Sequence, residues 1–120
     1  MVFEIENYTT LRSAMDGLCE FLLAENVPKG SVFDSRLVAC ELLGNILRHA
    51  DGRARLFGEI KDGFVELRIL SATVYCPPER KDTPDLYAEH GRGFYIVDRL
   101  CEERSHTKDG LTVKIRIKEE

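Results

Sequence analysis

The sequence predicts an α+β domain: a two-layer sandwich with a mixed, mostly antiparallel sheet and helices on one face. Two observations carry this prediction. Short segments at both ends and in the middle of the chain alternate apolar and polar residues, which is typical of half-buried strands. Other segments repeat apolar residues every three or four positions, which indicates amphipathic helices. The predicted order is β-α-α-β-β-loop-α-β-β.

The first strand and helix are predicted in the N-terminal quarter. The alternating segment VFEIEN at 2–7 is the strand. Thr9 and Thr10 are N-cap candidates for the helix, because a threonine hydroxyl can accept a first-turn backbone N–H. The helix is expected to end near Asn26, before the Pro and Gly of VPKG.

A second helix is predicted to begin at Ser31. Asp34 lies three residues after Ser31, in a loose form of the capping box. The helix is expected to continue to Ala50. Its apolar stripe consists of Leu37, Val38, Leu42, Leu43, Ile46 and Leu47.

The C-terminal half contains two predicted hairpins with a loop and a helix between them. In the first, strands at 54–60 and 64–70 are joined by KDG. The second runs from a strand at 103–108 through another KDG, at 108–110, into LTVKIRI. Between them lies a proline-containing loop at 71–90, and then a helix that opens at about Gly93.

Composition limits the function classes. The chain has 120 residues, a net charge of −4 and scattered Lys and Arg, so we expect one domain, 1–120, that does not bind nucleic acid. Its four cysteines show no CxxC spacing, which argues against zinc and for a reduced, cytoplasmic protein. Neither a signal peptide nor a membrane-spanning run is apparent, so no membrane association is expected.

A line of polar residues interrupts the second helix. Glu41, Asn45 and His49 recur every four residues, and Arg48 lies on the same side. A carboxylate can accept a proton from a hydroxyl, and an amide oxygen can ligate Mg²⁺. Gly44 costs about 1 kcal/mol relative to alanine in a helix, which suggests that another group packs closely there. The alternative is an ordinary solvated helix face.

A second candidate is the sequence GRGF, which precedes the third helix. Gly91, Arg92 and Gly93 are expected to expose backbone N–H groups at the positive end of that helix. Such an end binds anions such as phosphate. The alternative is a tight turn into the helix.

These segments together resemble the GHKL ATPase superfamily. CELLGNILRHA resembles its N-box, and the spacing is closest to the anti-sigma-factor serine/threonine kinases of bacteria. EHGRGFYIVDRLCEE resembles the Gly-rich lid and following helix of that subfamily, and DGLTVKIRI resembles its closing segment. The resemblance therefore implies the two-layer GHKL fold, and it covers nearly the whole chain.

The resemblance also implies roles for individual residues. Glu41 would be the general base that activates a serine hydroxyl of a partner protein. Asn45 would ligate Mg²⁺ between the ATP phosphates. The Gly91–Arg92–Gly93 turn would cover those phosphates with its backbone N–H groups.

Three further positions complete the site that the resemblance implies. Arg48 and His49 would line its rim, and Thr112 would support the adenine side from the last strand. The implied partners are a sigma factor and a small antagonist protein, which together form a partner-switching circuit. Members of the subfamily often dimerise, so a homodimer is a further expectation.

The adenine end departs from the family pattern. The family has Asp-x-Gly-x-Gly after its third strand, whereas this chain has SATVY. Ser71 replaces the aspartate that accepts a hydrogen bond from the adenine amino group. The replacement is expected to weaken nucleotide binding by about 1–2 kcal/mol. Thr73 and Tyr75 replace glycines and would fill space that the base needs.

Three interpretations of the sequence remain. The first is an active ATP-dependent protein serine kinase of the anti-sigma-factor type. The second is a catalytically inactive, pseudokinase-like module that binds a sigma factor or antagonist protein without ATP. The third is an unrelated α+β domain that carries the motifs by chance.

Overall fold

The computed structural model describes residues 1–49, 53–71, 92–107 and 110–118. Their fold is α+β, with a five-stranded antiparallel sheet in the order β1-β2-β3-β5-β4. The elements are β1 (Val2–Ile5), α1 (Tyr8–Ala24), α2 (Lys29–His49), β2 (Ala54–Lys61), β3 (Phe64–Ser71), α3 (Arg92–Leu100), β4 (Glu103–Thr107) and β5 (Gly110–Arg116). The predicted fold class is confirmed at this level, and every described strand pairing is antiparallel.

The sheet buries one of its two faces. Alternate residues of β2, β3 and β5 are buried, while the residues between them are half-buried or exposed. The buried face packs against the helices, since α2 contacts both β3 and β5, and α1 contacts β1. The largest fully buried side chains are Ile5, Met15, Leu18, Leu22, Leu42, Leu43, Leu56, Leu67, Ile69 and Ile115. The buried residues of the alternating segments therefore face the helices, and the residues between them face the open side of the sheet.

The cap of α1 differs from the prediction. Asn7, not a threonine, is the N-cap: its side-chain oxygen accepts the backbone N–H of Thr10 at 2.9 Å. Thr10 completes a capping box, because its hydroxyl accepts the backbone N–H of Asn7 at 3.0 Å. Thr10 thus stabilises the helix from the third helical position.

The start of α2 also differs from the prediction. The helix begins at Lys29, and the backbone N–H groups of Ser31 and Val32 donate to the carbonyl of Pro28. Ser31 is fully buried and lies inside the helix. Its hydroxyl accepts the backbone N–H of Lys118 at 2.8 Å, so it joins α2 to the segment that follows β5.

The first hairpin is confirmed. β2 and β3 pair from Ala54↔Ser71 to Lys61↔Phe64. The two turn residues, Asp62 and Gly63, both have positive φ (53° and 81°), as a tight hairpin turn requires. The proline-containing loop and the tip of the second predicted hairpin lie outside the described residues.

Among the described helices, none is both long and apolar enough to span a membrane.

Candidate functional site

The polar line of α2 is not a solvated helix face at its centre. Asn45 is only 3% exposed, whereas Glu41, one turn earlier, is half-buried. The residues next to Asn45 on the helix, Leu42 and Ile46, are core residues. An amide therefore lies in the packed layer between helix and sheet, with a carboxylate beside it at the margin.

The hydrogen bonding of Asn45 is incomplete. Its Oδ1 accepts a hydrogen bond from Nη2 of Arg48 at 2.5 Å. Its Nδ2 is buried and has no hydrogen-bond partner among the described residues. A buried N–H donor without an acceptor lowers the stability of the fold by about 1–3 kcal/mol. Packing alone therefore does not explain an asparagine here. The amide is suited to a ligand that brings an acceptor.

Gly44 makes room for a neighbouring side chain, as the sequence indicated. A Cβ placed on Gly44 would lie 3.2 Å from Nη1 of Arg48. The guanidinium therefore lies across Gly44 while it holds Asn45. Arg48, which the resemblance places on the rim, is exposed and contacts the central residue of the polar line.

The phosphate-binding candidate begins α3. Arg92 and Gly93 form the start of that helix, so their backbone N–H groups belong to its first turn. α3 packs against α2, the helix that carries Asn45. Gly91 lies outside the described residues, as do the side chains of Arg92 and His49.

A buried ion pair, which no local sequence pattern indicates, joins α3 to the sheet. Asp98 Oδ1 lies 3.3 Å from Nη1 of Arg104 on β4, and the two side chains are 3% and 5% exposed. Val97 and Cys101 are buried on the same helix. The pair contributes to the position of α3, and hence to that of its first turn.

His106 lies on the same face of β4 as Arg104, two residues further on. Burial lowers the pKa of His106, the positive charge of Arg104 lowers it further, and Asp98 raises it. Its titration therefore reports on both members of the ion pair.

Ser71 ends β3 on the helix side of the sheet, paired with Ala54. Its hydroxyl donates to the backbone carbonyl of Arg53 at 3.2 Å. A depression of about 440 Å³ adjoins Ser71, and its described lining comes from β1, β2, β3 and the residues beside them. Thr73 and Tyr75 lie outside the described residues.

Thr112 lies apart from the other site candidates. Its neighbours on β5, Leu111 and Val113, are buried against the helices, so Thr112 lies on the open face of the sheet. It pairs with Arg68, which is exposed on that same face. The structure thus groups Glu41, Asn45 and Arg48 on α2 and places Thr112 across the sheet from them.

The fold and the site together define a class of protein: an α+β domain whose second helix carries a buried amide with an unsatisfied donor beside a half-buried carboxylate. No family model matches the chain, and no curated protein matches it either. The family assignment therefore stands as a proposal on motif resemblance and site geometry.

Proposed function

We propose that this chain is a GHKL-type regulator of the anti-sigma-factor serine/threonine kinase class, which binds ATP with Mg²⁺ and a partner protein. The observation that carries the proposal is the buried Asn45, whose Nδ2 lacks a partner among the described residues. A second support is the half-buried Glu41 one turn away. A third is the element order of the described residues, which is the order predicted from the sequence.

The chemistry of Asn45 fits a metal–phosphate group. Its amide oxygen is a hard ligand of the kind that Mg²⁺ takes, and its amide N–H groups can donate to a phosphate oxygen. Bound there, the metal would neutralise part of the phosphate charge. The backbone N–H groups in the first turn of α3 suit the same anion.

Glu41 would act on the partner protein. A carboxylate at the margin of the site can accept the proton of a serine hydroxyl while that oxygen attacks the terminal phosphorus of ATP, the bond to the β-phosphate oxygen breaks and ADP leaves. Half-burial leaves Glu41 accessible to such a hydroxyl. The partner in this proposal is a sigma factor or a small antagonist protein of a bacterial partner-switching circuit.

A second candidate function is a pseudokinase-like module that binds its protein partner without ATP. The contact that favours it is the guanidinium of Arg48 on Asn45 Oδ1, the oxygen that a metal would need. The sequence also favours it through Ser71, Thr73 and Tyr75 at the adenine box. Nucleotide affinity separates the two functions.

The test is calorimetric titration of the full chain with MgATP. We expect binding in the micromolar to low millimolar range, and loss of that heat in Asn45→Ala. Ser35→Ala is the matched control, because it removes another fully buried polar side chain from α2, one that donates to Ser31 within the helix. The control is expected to bind MgATP as the unaltered chain does.

Two results would contradict the kinase proposal. Absence of heat at every reachable MgATP concentration would favour the pseudokinase-like module, and the search would turn to a protein that binds without nucleotide. Equal binding by the unaltered chain and by Asn45→Ala would remove Asn45 from the site.

A further inference from the structure

Arg48 and Asn45 make the one hydrogen bond that the structure describes at the centre of the polar line. The donor is a charged guanidinium, the acceptor is Asn45 Oδ1, and the distance is 2.5 Å. Hydrogen bonds from charged donors are roughly twice as strong as neutral ones. Arg48 is itself exposed, so the bond runs from a solvated side chain to a buried amide.

The backbone beside Asn45 allows this contact. Nη1 of Arg48 would lie 3.2 Å from a Cβ on Gly44, closer than side chains ordinarily approach. A glycine at that position therefore lets the guanidinium fold back along the helix. A side chain there would require the guanidinium to shift by a few tenths of an ångström.

A guanidinium and a divalent cation do not share this oxygen readily. Both carry positive charge, and both would lie within a few ångströms of Oδ1. At that separation the two positive charges repel each other strongly. The amide oxygen has two lone pairs, but the repulsion applies to either position. One cation must leave when the other arrives.

We propose that Arg48 is an autoinhibitory internal cation that occupies Asn45 Oδ1 and must be displaced before a metal-bound nucleotide engages the site. This inference rests on the proposed function, since it concerns the same amide. It adds a regulatory step: any partner that draws the Arg48 guanidinium away, such as an acidic side chain of a bound protein, would raise nucleotide affinity.

The test compares MgATP titrations of the unaltered chain and of Arg48→Ala. We expect Arg48→Ala to bind MgATP about tenfold more tightly, the equivalent of one hydrogen bond to a charged group. With ATP and a chelator in place of Mg²⁺, the same substitution is expected to give no gain. Arg12→Ala is the control, because it removes an exposed arginine from α1 and leaves Asn45 untouched.

Arg48→Lys supplies a second measurement. It keeps the positive charge but replaces the planar fork by a single ammonium, so its MgATP affinity is expected to lie between the other two. If Arg48→Ala does not fold, as judged by circular dichroism, this variant still tests the proposal. If Arg48→Lys bound MgATP no more tightly than the unaltered chain, that result would count against the proposal.

The failures of the two proposals are distinguishable. If the unaltered chain binds MgATP and Arg48→Ala binds it equally or more weakly, Arg48 is not inhibitory and only this inference is overturned. If neither protein binds MgATP, the nucleotide site itself is refuted, and the inference falls with it. Binding by Arg48→Ala alone would support this inference, and the unaltered chain would then be the module that binds its partner without ATP.

Discussion

The Asp98–Arg104 pair and Asn45 are both buried, and their polar atoms have different surroundings. Asp98 and Arg104 bring opposite charges within 3.3 Å of each other between α3 and β4. Asn45 on α2 is equally buried, but its Nδ2 has no hydrogen-bond partner among the described residues. Each charge of the ion pair lies opposite a charge of the other sign, whereas Asn45 Nδ2 faces no acceptor among the described residues.

The difference separates a structural role from the ligand-binding role proposed for Asn45. Buried charges are tolerated when they are paired, and the pair can then fix the position of the elements that carry it. A buried donor without a partner destabilises the fold, and a bound ligand would offset that cost. The next three predictions test this contrast, beginning with the largest expected effect.

The ion pair is expected to be sensitive to the loss of one member. Asp98→Ala leaves the buried guanidinium of Arg104 without its carboxylate, so we expect a loss of about 3–5 kcal/mol in the free energy of unfolding. Urea denaturation measures it. Replacing both residues, as Asp98→Leu with Arg104→Met, should be close to neutral, because no charge then stays buried alone. A loss below about 1 kcal/mol in Asp98→Ala would show that the pair is not structurally important.

Substitution of Asn45 is expected to change the free energy of unfolding in the opposite direction. Asn45→Leu replaces the unsatisfied amide by an apolar side chain of similar volume, so the free energy of unfolding should rise by about 1 kcal/mol. The same variant should lose MgATP binding. A destabilised Asn45→Leu would mean that the amide supports the fold, which would end the contrast with the ion pair.

His106 gives the smallest effect and reports on the ion pair directly. Its pKa in the folded chain lies below the ordinary 6.5, so below that pH the unfolded chain binds more protons than the folded one. Stability is therefore expected to be insensitive to this group above pH 6.5 and to fall as pH drops below it.

An NMR titration of the His106 ring measures this pKa. Asp98→Asn removes the carboxylate that raises it, so the pKa should fall further. Arg104→Met removes the positive charge, so the pKa should rise towards its ordinary value. A pKa that responds to neither substitution would show that His106 does not sense the pair. In His106→Gln, the free energy of unfolding should fall less steeply as pH drops below 6.5.

Local patterns in the sequence predicted the secondary structure well, and the exceptions have identifiable causes. The hairpin around Asp62 and Gly63 follows from alternation and turn chemistry within a few residues. The cap of α1 was misassigned because Asn7 and Thr10 act as a reciprocal pair, and the sequence offered several cap-forming residues in a row. Ser31 was misassigned because its partner, Lys118, is 87 residues away.

By itself, the sequence determined the α+β class, most element positions and the line of Glu41, Asn45 and Arg48 on one helix, because each depends on short-range periodicity. Only the tertiary structure decided that Asn45 is buried with an unsatisfied donor, that Asp98 meets Arg104, and that Thr112 lies on the open face. Those outcomes depend on which surfaces pack together. Burial and partner choice come from contacts between distant segments, and no local pattern encodes them.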